Sequence, residues 1–222
     1  MSLHLAGRSE TLPGMWSTAG FSGEEPDPEF FRRMSPPENE IPVAIPLNAV
    51  LARTDDAAIA LTGLQVYTTG VAFDLSVRVR SWPDDDRGGL SELVFDHGRR
   101  GSRLLIGVEL SDGRRASNVG GRGFPPDPSE MIFHPAGGGG GQLAVDQSWW
   151  LSPVPPEGPV RFVCSCALLK IAETSVELDG TAMARAAEQV VTLWPWVPPD
   201  RGERRPPPPP ELPGESWFAG PR

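Results

Sequence analysis

The stretch that most constrains this chain runs from Val71 to Arg80. Val71, Phe73, Leu75, Val77 and Val79 fall on one side of an extended segment, and Ala72, Asp74, Ser76, Arg78 and Arg80 fall on the other. Side chains alternate across a strand with a period of two, so this pattern specifies a strand with one dry face and one wet face. The strand needs partners for its amides, and its dry face needs a second layer to cover it.

The flanking segments supply those partners. Ile41, Val43 and Ile45 alternate and Leu47, Val50 and Leu51 continue a buried run, but Pro42 and Pro46 remove ladder donors, which marks an edge or first strand. Asp55 and Asp56 make a turn, and residues 57–67 form a second strand with Ile59 and Leu61 inward. After Gly63, Leu64 and Val66 resume in the opposite phase, which predicts a bulge at Gly63. Thr68, Thr69 and Gly70 close a hairpin into residues 71–80. Downstream, residues 90–95 read as a short strand. Residues 103–110 read as another, returning through the Asp112-Gly113 turn to residues 114–118. Residues 131–134 are β-like, the run Gly137 to Gly141 reads as a flexible hairpin or lid, and residues 142–151 form a strand carrying Trp149 and Trp150. Val160, Phe162, Cys164 and Cys166 alternate in the next strand, and residues 175–178 read as the last.

One segment changes period. Over residues 181–194, Met183, Ala186, Ala187, Val190, Leu193 and Trp194 recur at helical spacing, with Asp179 or Thr181 as cap and Pro195 as terminator. Strands joined by hairpins pair antiparallel, because parallel strands need long crossovers. The expected fold is therefore all-β, mainly antiparallel. It is a two-layer β-sandwich, Ig-like or jelly-roll-like, with one C-terminal amphipathic helix over an edge or open end and a partly open barrel as its rival. The domain is expected over residues 41–196. Residues 1–40 read as a mostly disordered arm in which Phe30 and Phe31 can dock on the core, and residues 197–222 as a disordered proline-rich tail.

Composition narrows the function classes. A net charge of −9 and a pI near 4.9 argue against non-specific nucleic-acid binding, which needs a basic footprint. No run approaches the ~18 apolar residues of a membrane span, and the first ten residues hold no signal-peptide core, so a cytoplasmic protein is expected. Lys170 is the only lysine, and the bias to Arg, Ala, Gly and Pro fits a GC-rich, bacterial coding sequence. Cys164 and Cys166 on one strand would sit ~6.6 Å apart with parallel Cβ vectors, which disfavours a disulfide between them.

No catalytic constellation is apparent. His134 lacks a nucleophile and an orienting partner in sequence. Cys164 and Cys166 with His134 or His97 fall short of a zinc ligand set, the glycine run lacks the Lys-Ser/Thr of a phosphate loop, and Asp84, Asp85 and Asp86 lack calcium-loop spacing, so no metal and no cofactor is expected. Adjacent tryptophans are more informative. Only one of Trp149 and Trp150 can face the core, so the other meets solvent, a covering segment or a partner. Arg114, Arg115 and Arg122 lie on loops that can reach the same end as these rings and His134. Arg204 and Arg205 ahead of Pro206 to Pro210 resemble a ligand for SH3-type grooves, with Trp217 and Phe218 as a tethered apolar anchor.

These features point to a non-enzymatic protein-interaction or structural adaptor module, acting on protein partners or by self-association through a sheet edge or the Trp149-Trp150 region. The alternative is a small-ligand-binding sandwich that takes an anionic or sugar-like ligand at its glycine-rich loops. An enzyme ranks third and would need Trp149, His134 and Arg122 to converge.

Overall fold

A computed structural model describes residues 28–82, 89–95, 104–119 and 130–198. The elements run in order α1 (Pro28–Arg33), β1 (Glu40–Ile41), β2 (Val43–Arg53), β3 (Ala57–Tyr67), β4 (Gly70–Val79), α2 (Gly89–Phe95), β5 (Leu105–Glu109), β6 (Arg115–Ser117), β7 (Ile132–Gly140), β8 (Ala144–Ser152), β9 (Pro159–Cys166), β10 (Ile171–Asp179), α3 (Gly180–Ala187) and β11 (Val191–Thr192). All strand pairings among them are antiparallel. Five strands form one sheet in the order β2-β3-β4-β8-β7, four form a second in the order β10-β9-β5-β6, and β1 pairs with β11 in a small ribbon. The chain is all-β in class, and its strands are mainly antiparallel.

The alternation in residues 71–80 does what its chemistry requires. Val71, Phe73, Leu75 and Val77 of β4 are buried, and they share one core with Ile106 and Val108 of β5 and with Val160, Phe162, Cys164 and Cys166 of β9. The inward faces of the two large sheets therefore cover each other. Phe73 meets Phe162 edge-on at 5.1 Å, and the Phe133 ring lies 4.8 Å from Trp149. The expected bulge is present: the β3–β4 register shifts between Thr62 and Leu64, and Gly63 holds the left-handed φ of +55° that favours glycine. As Pro42 and Pro46 imply, β2 is an edge strand, but Ile41 belongs to the separate strand β1, and Ile41 and Val50, expected in one buried run, are both exposed.

Three expectations give way. Residues 90–95 form helix α2 rather than a strand, because Leu90, Leu93 and Val94 are all buried at i, i+3 and i+4 spacing. The C-terminal helix stops at Ala187, with Glu188 as its C-cap, instead of reaching residue 194. At its start the Asp179 carboxylate accepts from Thr181 N–H. Beyond it Val190, Val191 and Thr192 are β-branched, and Val191 and Thr192 pair with Ile41 and Glu40. Finally, the glycine run, expected as a flexible hairpin or lid, is one strand of a hairpin and not a lid. Gly137, Gly138, Gly139 and Gly140 belong to β7 and pair with Ser148, Gln147, Asp146 and Val145 of β8.

Ahead of Ile41, in the stretch expected to be an arm, α1 lies on the outer face of the five-stranded sheet. Phe30 is buried there against Ile132 and Trp150, with Met34, Tyr67 and Ala72 packed around it. Residues 1–27 and the proline-rich tail from residue 199 onward lie outside the described residues.

Candidate interaction surface

Among the described residues, those singled out in the sequence are each engaged within the protein. Trp149 and Trp150 point to opposite faces of β8 and both are buried, Trp149 in the main core and Trp150 under α1. The Trp149 indole N–H donates to Gln147 Oε1 at 2.9 Å and the Trp150 indole N–H to the Arg33 carbonyl at 2.7 Å. Neither ring is offered to a partner. His134 sits beside Trp150, with Nε2 2.9 Å from the Met34 carbonyl oxygen and Nδ1 3.0 Å from that of Pro135, so it staples α1 to the sheet. Arg114 pairs with Asp112 at 2.7 Å and Arg115 with Glu109 at 2.6 Å. Burial of the Arg33 guanidinium, with Arg114 nearby, presses its pKa below the usual value. Arg122, Arg204, Arg205, Trp217 and Phe218 lie outside the described residues, as do His97 and the three aspartates.

Cys164 and Cys166 are free and buried. Among the described residues no three His, Cys, Asp or Glu side chains gather as a metal site would require. Burial, with Cys166 beside it, pushes the Cys164 thiol up to about 11, and burial raises Cys166 as well. A raised folded-state pKa contributes stability that is complete below the unfolded thiol's value near 9 and is lost as pH climbs through about 11. Native protein is therefore expected to resist Ellman's reagent at pH 8, and chemical unfolding to release both thiols. Stability should decline between about pH 9 and 11, which denaturant titrations across that range would measure.

The surface that sequence reading missed is the ribbon of β1 and β11. Ile41 and Val191 are direct cross-strand partners, and Leu193 follows on the Val191 side of the strand. All three are exposed, and so are apolar residues further along the chain: Trp194 is 58% exposed and Val197 74%. The ribbon is held from beneath by buried Asn39, whose carbonyl accepts from Leu193 N–H at 2.8 Å and whose amide donates to the Trp194 carbonyl at 2.7 Å. On its other face Glu40 is fully buried, paired with Arg32 at 3.0 Å and accepting from Thr68 N–H at 2.9 Å. Glu40 anchors β1 to the protein, its partner Thr192 in β11 is exposed, and Ile41, Val191 and Leu193 show large apolar side chains to solvent. Monomers rarely leave bare an apolar patch of more than a few hundred Å² unless it meets something. In the sequence these residues carried a helical period; the β-branched run from Val190 to Thr192 was the available signal that the helix had ended.

No family model matches the chain, nor does any curated protein or solved structure. The surface is read from its own residues. Among the described residues no helix is long and apolar enough to cross a membrane.

Proposed function

We propose that this chain is a protein-interaction module that uses the β1–β11 ribbon as its contact surface. We further propose that its two sheets are the layers of an Ig-like or jelly-roll-like β-sandwich. The supporting observation is that Ile41, Val191 and Leu193 are exposed on a ribbon anchored through Asn39 and Glu40, with Trp194, also exposed, next along the chain. A contact surface on a rigid support loses little conformational entropy when it binds, and a tryptophan beside aliphatic neighbours is the composition of an interface centre. Pro195 and Pro198 follow this surface directly in the sequence.

The reading is tested by charging the surface without touching the core. Ile41→Asp with Leu193→Asp is expected to leave the melting temperature within a few degrees of the parent, because both side chains are exposed. It should abolish binding of the hydrophobic dye ANS to the native state. A photo-cross-linking amino acid at Val191 should capture a defined protein in host cells, and lose it in the double variant. If the double variant unfolds the protein, or if Val191 captures nothing that a control position at Glu173 does not, the ribbon is a structural seam and the proposal fails.

A further inference from the structure

Edge strands present unpaired backbone donors and acceptors, and proteins manage them with charge, proline, short length or cover. The two large sheets have four edge strands, and three are managed. β2 contains Pro46 and is tied to β10 by a bond from the Thr174 hydroxyl to the Leu51 carbonyl, 3.4 Å long. β10 carries Glu173 and Glu177. β6 is three residues long and opens with Arg115, which is paired to Glu109. Among the described residues the exception is β7. Its first half is interrupted by Pro135 and a register shift, but from Gly137 onward it carries neither charge nor side chain.

The fold itself requires glycine at only two positions of that run. A Cβ on Gly138, at φ +140°, would lie 2.4 Å from the Asp146 carbonyl oxygen, and one on Gly140 would lie 2.4 Å from that of Ala144. At Gly137, Gly139 and Gly141 a Cβ meets nothing within 4 Å, so these three bare positions are not explained by packing within the chain. Gly141 N–H bonds the Ala144 carbonyl at 2.8 Å. Alternation then turns the peptide groups of Gly139 toward β8 as well, and leaves those of Gly140 and Gly138 directed at the free edge.

We propose that the edge from Gly137 to Gly141 pairs with the same edge of a second copy, antiparallel about a two-fold axis, so that the five-stranded sheet continues across both molecules. Three observations favour a second copy as the occupant. An antiparallel edge is self-complementary under a two-fold, each copy supplying what the other needs. A chain with net charge −9 repels its own kind over most of its surface, whereas this edge brings no ionised side chain of its own to the contact. The acid bordering it, Asp146, is neutralised in place: Arg78 donates both to Oδ1 at 2.8 Å and to Oδ2 at 2.9 Å, and the Ser76 hydroxyl donates to Oδ1. The Ser76 hydrogen bond, followed by Arg78, holds the Asp146 carboxyl below its ordinary pKa.

The test is sedimentation of the full chain over a range of concentrations, for the parent, Gly139→Lys and Leu193→Asp. Gly139 faces Asp146 across the β7–β8 pair, so a lysine there supports the fold while charging the edge against its copy. The parent is expected to dimerise with concentration, and amide exchange at Gly138 and Gly140 to slow as it does. Gly139→Lys should be monomeric at the same concentrations with an unchanged or higher melting temperature, and Leu193→Asp should dimerise like the parent. A parent that stays monomeric throughout overturns the proposal. So does a dimer that survives Gly139→Lys, one that leaves Gly138 and Gly140 exchanging freely, or one that only Leu193→Asp removes, which would assign self-association to the ribbon instead.

Discussion

Replacing Trp150 with alanine should destabilise the protein by about 3–5 kcal/mol, the range for removing a fully buried aromatic side chain, and should detach α1 from the sheet. Trp150 is fully buried although it lies on the outer face of the five-stranded sheet. Three things enclose it: Phe30 from α1, Ile132 from β7, and Tyr67, whose ring stands edge-on 5.7 Å away. Its indole N–H donates to the Arg33 carbonyl, one of the groups at the end of α1 that has no partner within the helix. Gly70 belongs to the same arrangement, since a Cβ there would come within 2.7 Å of the Trp150 ring and 2.3 Å of the Leu151 carbonyl oxygen. Alanine at position 150 removes the floor on which Phe30 rests, and a six-residue helix cannot persist without tertiary contacts. Urea unfolding and hydrogen exchange over residues 28–34 measure the two effects together. Trp150→Phe, which keeps most of the ring and drops the donor, should fall between parent and alanine. A loss below about 1 kcal/mol for alanine would mean that α1 contributes almost nothing to this face.

Trp150 also shows where sequence reading stopped. Alternation is a local property, and it places β3, β4 and β9 with their inward residues, including the phase reversal at Gly63, but in the first strand it counts Ile41 and Val50 as buried although both are exposed. It established that Trp149 and Trp150 face opposite ways, but not what covers the second ring. The covering segment is more than a hundred residues away in sequence, and its Phe30, Phe31 and Met34, set among charges and prolines, show that it can dock but not where. A segment that folds only on a finished surface has no period of its own to read. The glycine run failed for a related reason: glycine has no side chain to show alternation, so a strand of glycines looks like a loop until its partner strand is known. For the ribbon, Leu193 and Trp194 fell by coincidence on the helical positions set by Met183 and Ala186. Seven residues of overextension hid the exposed apolar side chains of Val191, Leu193 and Trp194.

Removing the carboxylate of Glu40 should cost about 2–4 kcal/mol, less than a fully enclosed ion pair because the Arg32 side chain remains a quarter exposed. The cost arises from what is left behind. Without Glu40, Arg32 keeps its burial but loses its counter-charge, and Thr68 loses the acceptor for both its N–H and its hydroxyl. Glu40→Gln retains an acceptor of the same size and should recover about half of the alanine loss. The only tyrosine in the chain provides a spectroscopic check. Burial first, and then the negative charge of Glu40, holds the Tyr67 phenol above its ordinary pKa. In Glu40→Ala the tyrosinate absorbance should therefore appear at lower pH, yet still above the value for free tyrosine. The decisive measurement is the double variant. Glu40 and Trp150 both fix the segment from α1 to β1, one through Arg32 and Thr68 and the other through Phe30 and the Arg33 carbonyl. If that segment docks as a unit, losing either anchor frees most of it, and the second loss adds little. Glu40→Ala combined with Trp150→Ala should then cost at least about 1 kcal/mol less than the sum of the single variants. Strict additivity would show two independent contacts, with no single strap joining the outer face of the sheet to the base of the apolar ribbon.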